Sequence, residues 1–252
     1  MENDIEAKIK EKYRIAAHRL VLLDYDGTLV NYAAKPETAK LSEHVFDILS
    51  GFIENPLTKI FIITGRSHLD IEKLLSHIPI DIIAEHGAMV RESGLWKSQA
   101  INNFSWKKAI IPILNQFAVI CHGSFVEEKR FSMAWHYRTA DPEVGYSCSR
   151  ELIDLLTNIA PSYNLKVLDG KKVVEILSNE TGKGRAVKNL FEQNSFDFVL
   201  SIGDDATDEE MFEYLLNFSN AYTIKVGEGT TFAKYQLTNI GDVAVLLKQL
   251  LG

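Results

Sequence analysis

The sequence has few cysteines and no long apolar segment. Its 252 residues include two cysteines, Cys121 and Cys148, which lie far apart and form no C-x-x-C pair. This spacing speaks against a disulfide framework or a zinc ribbon and favours reduced thiols in the cytoplasm. No stretch reaches the ~18 consecutive apolar residues that a membrane-spanning helix needs, and residues 1–19 contain no apolar signal sequence. We therefore expect a cytoplasmic protein without a membrane partner.

Basic residues are also scarce relative to acidic ones. The chain has 27 Lys and Arg against 34 Asp and Glu, which gives a formal net charge of -7. Surfaces that bind nucleic acid or anionic membranes usually carry an excess of basic residues, so no nucleic-acid partner is expected. If the substrate is anionic, a bound cation and a few local basic side chains must attract it, because the field of the whole molecule does not.

Short apolar runs alternate with longer segments of helical periodicity along most of the chain. The apolar runs, which are typical of strands, are residues 20–23, 59–63, 81–84, 198–202 and 221–226. The segments with helical periodicity are residues 1–18, 42–53, 69–76, 184–193 and 208–217. Strands of a parallel sheet are nearly continuously apolar because helices cover both faces of the sheet. The alternation therefore predicts an α/β fold with a parallel sheet.

The middle of the chain has a different order of elements. Its pattern is a helix over residues 106–117, strands within 124–138, a helix over 144–159, and strands at 166–168 and 173–177. A helix–strand–strand order that occurs twice predicts a small α/β domain, inserted so that it lies over the edge where the parallel strands end. The predicted domains are therefore a core of residues 1–105 and 180–252 and an inserted cap of residues 106–179.

Two carboxylates follow the first predicted strand. Asp24 and Asp26 are two residues apart, and Gly27 permits the sharp exit of the chain behind them. Carboxylates held so close repel each other unless a cation lies between them or they have different tasks. Both conditions hold in carboxylate-based phosphoryl transfer. One Asp attacks phosphorus to give an aspartyl phosphate, and the other protonates the leaving oxygen and then activates water.

Further polar residues follow other predicted strands or begin a helix. In a parallel sheet, ligands bind beyond the carboxyl ends of the strands, so Asp24, Thr64 and Asp204 are expected at one edge. Carboxylate oxygens suit Mg²⁺, which screens the repulsion between an anionic nucleophile and a phosphate. Thr64 can donate its hydroxyl proton to a phosphate oxygen, and Lys183 can place a positive charge beside it.

Each of these motifs is weak when it stands alone. An isolated D-x-D-G is often a turn or part of a calcium-binding loop, and an isolated Gly-Asp-Asp is usually a loop. Residues 182–184 (GKG) are not a nucleotide P-loop, because no Ser or Thr follows the Lys and the first glycine of that motif is missing. The four motifs in this order, each at a strand end or a helix start, favour phosphoryl chemistry.

The motifs together resemble those of the haloacid-dehalogenase superfamily of phosphotransferases. Residues 24–28 resemble the first motif of the superfamily, Thr64 the second, Lys183 the third and residues 203–208 the fourth. This resemblance implies a Rossmann-like core.

The same resemblance implies a role for each acidic residue. Asp24 would be the nucleophile and Asp26 the acid and base. Mg²⁺ would be held by Asp24, the main-chain carbonyl of Asp26, and Asp204. Asp205 and Asp208 would be supporting or water-mediated partners.

Nearly the whole chain resembles trehalose-6-phosphate phosphatases and the phosphatase half of bifunctional trehalose synthases. The segments that carry this resemblance are residues 31–32, 125–129, 134–138, 173–175, 201–212 and 223–227. It implies that the substrate is trehalose 6-phosphate and that the protein associates with trehalose-6-phosphate synthase. His86 and His136 are candidates to orient neighbouring residues or the substrate, and neither is assigned a catalytic role.

The predicted cap supplies the residues that would choose the sugar. Glu127 and Lys129 are two residues apart, so they face the same side of an extended segment. A carboxylate and an ammonium group together offer acceptors and donors to sugar hydroxyls, and Glu175 on another strand adds acceptors. By resemblance these three would bind the distal glucose, with Arg138 and Arg66 nearby. The alternative is that they form a solvated face of a sheet.

Three other functions stay open at this point. The chain could hydrolyse another sugar phosphate, of the sucrose or mannosyl type. It could be a non-catalytic sugar-phosphate-binding partner of a synthase, although a binding module has no need of a nucleophile such as Asp24. A phospho-accepting signalling domain also has an acidic pair, a Thr and a Lys, but it is much shorter and has no inserted cap.

Overall fold

Two β-sheets organise the protein. The computed structural model describes residues 2–33, 35–99 and 104–252; residue 1, at the start of the predicted first helix, lies outside them. In chain order the strands are β1 (Arg19–Leu23), β2 (Thr58–Ile63), β3 (Asp81–Ala84), β4 (Met89–Glu92), β5 (Leu95–Ser98), β6 (Phe125–Glu128), β7 (Ser132–His136), β8 (Leu165–Gly170), β9 (Val173–Ser178), β10 (Phe198–Gly203), β11 (Ala221–Val226) and β12 (Tyr235–Leu237). The α-helices are α1 (Glu2–Ile15), α2 (Glu43–Ile53), α3 (His68–Leu75), α4 (Lys107–Ile120), α5 (Pro142–Ile159), α6 (Lys183–Gln193), α7 (Ala206–Leu215) and α8 (Ile240–Leu251).

The larger sheet has the strand order β12-β11-β10-β1-β2-β3-β4-β5. Every pairing from β12 to β3 is parallel, and β4 and β5 extend the sheet as antiparallel strands at one edge. The predicted α/β fold with a largely parallel sheet is therefore confirmed. The strand order changes direction at β1, and ligands of open α/β sheets bind beyond the strand ends at such a point.

Helices cover both faces of this sheet. Successive side chains of a strand point to opposite faces, and in β1 Leu20 and Leu22 join one apolar cluster while Val21 and Leu23 join the other. The first cluster includes side chains of α6 and α7, and the second includes side chains of α1, α2, α3 and α8. A strand buried on both faces explains why β1 reads as an uninterrupted apolar run.

The smaller sheet is antiparallel, with the order β6-β7-β9-β8. Helices α4 and α5 pack on it through an apolar cluster that includes Ile110, Leu152 and the fully buried Trp135. We call this sheet with α4 and α5 the cap, and the larger sheet with its helices the core. The division into a core of residues 1–105 and 180–252 and a cap of residues 106–179 remains our proposal. None of the described helices is long and apolar enough to cross a membrane.

Candidate active site

The ends of three neighbouring core strands bring polar side chains together. Asp24 follows β1, Thr64 follows β2 and Asp204 follows β10, and all three are buried. The amide of Asp24 donates to the carbonyl of Ile202 over 2.9 Å, and that of Thr64 donates to the carbonyl of Ile83 over 2.8 Å. The sheet hydrogen bonds thus continue past the ends of β1 and β2, which fixes the backbone of both residues.

Gly27 lets the loop after β1 lie against the end of β10. Its φ of +87° is in the region that favours glycine, and a Cβ atom at this position would collide with the carboxylate of Asp204. Glycine is therefore required at position 27, both because of the backbone conformation and because Asp204 approaches closely.

Three buried carboxylates lie around one lysine. Asp24, Asp204 and Asp208 each offer an oxygen, and these oxygens lie within 4.8 Å of one another. The ammonium group of Lys183, the first residue of α6, donates to Oδ1 of Asp24 over 2.7 Å and to Oδ1 of Asp208 over 2.8 Å. Lys171 of the cap pairs with Asp204, so two ammonium groups face three carboxylates, which leaves an excess of negative charge. Oxygen ligands with this excess fit a hard divalent cation.

The same crowding shifts the pKa values of the group. Burial raises the pKa of Asp24 well above its ordinary value, and the attraction of Lys183 offsets only part of this effect. Burial likewise raises the pKa of Asp208 to about 7. Burial alone would lower the pKa of Lys183, but Asp208 and Asp24 hold it well above its ordinary value. A bound divalent cation would favour the ionised carboxylates, because it adds the positive charge that the group lacks.

Asp26 is paired with Arg66 and is not a member of this carboxylate group. Nε of Arg66 donates to Oδ2 of Asp26 over 2.6 Å, and a terminal nitrogen donates to Oδ1 over 2.7 Å. A second terminal nitrogen of Arg66 donates to the carbonyl of Pro36 over 2.7 Å. The bidentate pair fixes the Asp26 carboxylate, since an arginine fork matches the geometry of a carboxylate. The sequence did not indicate this pair, and a substrate contact for Arg66 stays a prediction.

Asp205 and Asp208 shape the loop between β10 and α7. Asp205 is the N-cap of α7, and its Oδ1 accepts from the amide of Thr207 over 2.8 Å. Oδ2 of Asp208 accepts from the amides of Asp204 over 2.9 Å and of Asp205 over 3.1 Å. Burial would raise the pKa of Asp205, but Lys183 and the hydrogen bonds from Thr207 lower it below its ordinary value. Asp208 thus fixes the backbone at Asp204 and adds an oxygen to the carboxylate group, while Asp205 fixes the start of α7.

In the cap, Glu175 on β9 lies in a network of hydrogen bonds. Its Oε1 accepts from Nζ of Lys129 over 2.8 Å and from Oγ of Ser132 over 2.7 Å, and its Oε2 is 2.8 Å from Nε2 of His86 in the core. Lys129 also donates to the carbonyl of Gly65 in the core over 2.9 Å. Burial would raise the pKa of Glu175, but Lys129 and His86 hold it well below its ordinary value.

Glu127 and Arg138 lie on the same side of the cap. Oε2 of Glu127 is 2.7 Å from Nε2 of His136. Burial would raise the pKa of Glu127, but the contact with His136 and the charge of Lys129 lower it. Arg138 donates to the carbonyl of Lys171 over 2.6 Å. The side chain of Glu127 is half-buried and that of Arg138 is exposed. Both face the ends of the core strands.

Two further residues at Asp204 were not predicted. The hydroxyl of Tyr32 donates to Oδ1 and Oδ2 of Asp204 over 3.2 and 3.1 Å, and Lys171 of the cap forms an ion pair with Oδ2. Tyr32 lies in a matched segment, which was a usable signal. Lys171 lies in the turn between β8 and β9, where a lysine carries no sequence pattern.

A cavity of about 180 Å³ lies between the core and the cap. Most of the predicted site residues line it, namely Asp24, Asp26, Thr64, Arg66, Lys183 and Asp205 from the core and Glu127, Lys129, Arg138 and Glu175 from the cap. Asp204 and Asp208 belong to the site through the carboxylate group that they form with Asp24. The core side of the cavity thus holds the Asp24 carboxylate beside the Lys183 ammonium group, and the cap side offers hydrogen-bond donors and acceptors.

Comparisons with known proteins agree on one family. The family model described as trehalose-phosphatase matches residues 22–239. The bifunctional trehalose-6-phosphate synthase/phosphatase of Thermoproteus tenax is 39% identical over 244 residues, which are 96% of this chain and 33% of that protein. The trehalose-phosphatase of Schizosaccharomyces pombe is 33% identical over 229 residues, 85% of this chain and 28% of that protein. The chain thus spans about a third of the length of the curated relatives it matches.

A solved structure is similar to this chain over nearly its whole length. The C-terminal domain of the C. albicans trehalose-6-phosphate phosphatase superimposes with a TM-score of 0.94 at 28% identity. The match covers 98% of this chain and 97% of that chain. The likeness therefore includes both the core and the cap.

Proposed function

Since the chain belongs to the trehalose-phosphatase family, we propose that it hydrolyses trehalose 6-phosphate to trehalose and phosphate through Asp24. The observation that carries the proposal is the cavity in which Asp24 and Lys183 of the core face Glu127, Lys129 and Glu175 of the cap. A phosphate at the core side would leave its sugar against the polar surface of the cap. The substrate is a sugar phosphate that reaches across this cavity.

Asp24 is the nucleophile in this proposal. Lys183 holds Oδ1 of Asp24 at 2.7 Å, which orients the carboxylate, and the other oxygen attacks phosphorus. The new bond joins that oxygen to phosphorus, and the bond from phosphorus to the sugar oxygen breaks. Water then attacks phosphorus of the aspartyl phosphate, which releases phosphate and restores the Asp24 carboxylate.

Asp26 is the general acid of the first step and the general base of the second. It donates a proton to the sugar oxygen as that oxygen leaves, and it takes one from the attacking water in the second step. Asp26 must carry a proton for the first step, whereas Arg66 now donates to both of its oxygens. We infer that one of the two hydrogen bonds from Arg66 opens when the substrate is in place.

Thr64 binds the phosphate, and the carboxylates beside it would hold a divalent cation. Oγ1 of Thr64 accepts from the amide of Arg66 over 3.1 Å, so its own proton remains available for a phosphate oxygen. We propose that the cation is Mg²⁺. Asp24 and Asp204 would hold it, with Asp208 beside them, and the resemblance to the superfamily adds the main-chain carbonyl of Asp26. When bound, Mg²⁺ supplies positive charge to the phosphate and to the transition state.

The cap residues select the sugar. Glu127, Lys129, Arg138 and Glu175 line the cavity and offer carboxylate and cationic groups to the sugar hydroxyls. A site that pairs buried polar groups with hydroxyls discriminates strongly against sugars that leave those groups unpaired. We therefore expect the site to prefer a disaccharide phosphate, which is long enough to contact the cap residues, to a smaller sugar phosphate.

A phosphate-release panel tests the function. Purified protein with Mg²⁺ is assayed on trehalose 6-phosphate, sucrose 6-phosphate, mannose 6-phosphate and p-nitrophenyl phosphate, which has no sugar. We expect kcat/KM for trehalose 6-phosphate to exceed that for the other sugars by roughly tenfold or more, the discrimination that a few polar contacts supply. Equal rates on all sugars would indicate a broader sugar-phosphate phosphatase. Binding without any release would indicate a non-catalytic partner of a synthase.

We also propose an association with trehalose-6-phosphate synthase. The T. tenax relative is named as a bifunctional synthase and phosphatase, and this chain covers 33% of it. A synthase that is part of the same chain or bound to it would deliver trehalose 6-phosphate close to the cavity. Co-elution of the chain with a synthase domain in size-exclusion chromatography is the expected result.

A further inference from the structure

The turn after β3 holds two consecutive residues in the left-handed region of backbone conformation. Glu85 has a φ of +50° and His86 a φ of +52°, which non-glycine residues rarely adopt. Both are almost completely buried, with exposures of 1% and 4%. A strained backbone of this kind persists where the surroundings require the side chains to point in a particular direction.

Both side chains of this turn reach from the core to the cap. Oε2 of Glu85 accepts from the amide of Phe131 over 2.8 Å, and its Oε1 lies 2.7 Å from Nδ1 of His68 in the core. Nε2 of His86 lies 2.8 Å from Oε2 of Glu175. One core turn therefore holds two segments of the cap, the loop between β6 and β7 and the strand β9.

His86 completes the partners of the Glu175 carboxylate. Lys129 and Ser132 of the cap bind Oε1 of Glu175, and His86 binds Oε2. The other ring nitrogen, Nδ1 of His86, is buried and has no hydrogen-bond partner among the described residues, so Nε2 alone ties the ring to the cap. A buried carboxylate oxygen without a partner is unfavourable. Loss of His86 would therefore leave Oε2 of Glu175 without this partner, and the carboxylate would be held through Oε1 alone.

The ring of His86 also packs on the loop that carries the phosphate-binding residues. A Cβ atom at Gly65 would collide with the His86 ring, and Gly65 lies between Thr64 and Arg66. The carbonyl of Gly65 accepts from Lys129 over 2.9 Å. Lys129, Glu175 and His86 thus meet directly above the Thr64–Arg66 loop.

We propose that His86 is a positioning residue that fixes Glu175 for the sugar and takes no part in the chemistry at phosphorus. This inference rests on the proposed function, because Glu175 is a sugar contact only if the substrate carries a sugar. It gives the left-handed turn a purpose, since the turn aims a core side chain at a sugar-binding residue of the cap. Loss of His86 weakens the binding of the sugar and leaves the phosphate chemistry intact.

The test replaces His86 by Asn. Asparagine tolerates the left-handed conformation better than most residues, but its side chain is shorter and does not reach Glu175. The matched control is His44→Asn, because His44 is an exposed residue of α2 that does not line the cavity. Thermal unfolding of each variant shows that it is folded before any other measurement.

The first readout is binding. In an Asp24→Asn background, which blocks turnover, calorimetry measures Kd for trehalose 6-phosphate and for inorganic phosphate in the presence of Mg²⁺. With His86→Asn we expect Kd for trehalose 6-phosphate to rise roughly tenfold or more, the effect of losing a hydrogen bond to a buried charged group. We expect Kd for inorganic phosphate to stay within about twofold, because main-chain hydrogen bonds with Ile83, Glu85 and residue 86 hold the Thr64–Arg66 loop and do not involve the His86 side chain.

The second readout separates positioning from a structural effect. His86→Asn should leave kcat/KM for p-nitrophenyl phosphate within about twofold, and His86→Gln, which keeps a donor at greater reach, should restore part of the sugar affinity. With Glu175→Gln already present, His86→Asn should add little, because both changes remove the same contact. An unchanged Kd for trehalose 6-phosphate, an equal loss on both phosphate esters, or additive effects would each overturn the inference.

These outcomes are distinct from failure of the proposed function. If the unmodified chain binds trehalose 6-phosphate but releases no phosphate from it, the proposed function fails while the binding test of His86 still applies. If the chain binds inorganic phosphate but not trehalose 6-phosphate, both the proposed substrate and the inference fall.

Discussion

At the scale of single residues, the carboxylate of Asp24 lies where its negative charge is unfavourable. It is buried, and Asp204 and Asp208 are close to it, so its pKa is raised despite the ammonium group of Lys183. Active sites often keep such groups because the same charge is needed for the reaction, and the loss of stability is accepted. Function and stability should therefore respond to a change at Asp24 in opposite directions.

The first prediction concerns Asp24→Asn. Phosphate release should fall by roughly 10³-fold or more, because the amide is a poor nucleophile. In the presence of a chelator, the variant should unfold at the same temperature as the unmodified protein or a higher one, because one of three crowded negative charges is gone. The measurements are a phosphate assay and thermal unfolding, with Asp47→Asn on the exposed side of α2 as the control. Turnover near the original rate would contradict the nucleophile assignment.

How far single residues could be predicted depends on where they stand in the chain. Asp24, Thr64 and Asp204 follow strands and Lys183 begins a helix, so the order of elements alone indicated that they would meet. The pair between Asp26 and Arg66 was missed. The sequence shows neither the direction of a long side chain nor which of its neighbours it meets, so such pairs have no pattern to read.

At the scale of elements, β9 joins the two parts of the molecule. It is an inner strand of the cap sheet, and Glu175 on it contacts His86 of the core. The pKa of Glu175 lies well below the ordinary value of 4.5, because Lys129 and His86 stabilise the charged form more than burial destabilises it. A carboxylate with a lowered pKa stabilises the fold above the pKa of its unfolded state, and this contribution is lost as the pH falls through the folded pKa.

The second prediction follows from the lowered pKa of Glu175. Glu175→Gln should lower the free energy of unfolding by about 3 kcal/mol near pH 7, because it leaves the buried ammonium group of Lys129 without its counter-charge. The difference between the two proteins should shrink as the pH falls below about 4.5, because there the unfolded state of the unmodified protein takes up the proton before the folded state does. Urea unfolding at several pH values measures this difference. A difference that grows as the pH falls would contradict the assigned direction of the pKa.

Most of the elements that are long and buried could be predicted from the sequence. The strands β1, β2, β10 and β11 and the helices of the cap were predicted close to their observed positions. The antiparallel strands β4 and β5, the short strand β12 and the last helix, α8, were not predicted. β12 has three residues, and β5 has no buried residue, so neither offers enough apolar periodicity to be recognised. They lie toward the two edges of the sheet, away from the site.

At the scale of the whole molecule, the net charge of -7 opposes the approach of an anionic substrate. The cavity compensates locally with Lys129, Arg138, Lys171 and Lys183 among its lining residues. Several of these cations are already paired with carboxylates, so they cannot fully neutralise a phosphate. A divalent cation at Asp24, Asp204 and Asp208 would supply the missing charge and also relieve the repulsion among those carboxylates.

The third prediction is that Mg²⁺ stabilises the entire fold through this group. A cation that binds only the folded protein adds about 2.7 kcal/mol of stability at a concentration of 100 times its Kd. For a chain of this length we expect Tm to rise by roughly 5–10 °C, and the rise should follow the logarithm of the Mg²⁺ concentration once the site is saturated. The measurement is thermal unfolding over a series of MgCl₂ concentrations, starting from protein treated with a chelator.

The matched pair of variants for this measurement is Asp204→Asn and Asp47→Asn. Both remove one negative charge, but only Asp204 offers an oxygen to the carboxylate group; Asp47 is exposed on α2. The rise in Tm should disappear in the first variant and persist in the second. If both variants kept the rise, Mg²⁺ would act on the molecule through its general negative charge, and the assignment of the ion to the strand ends would be wrong. Because this readout is stability, it tests the metal site independently of the substrate.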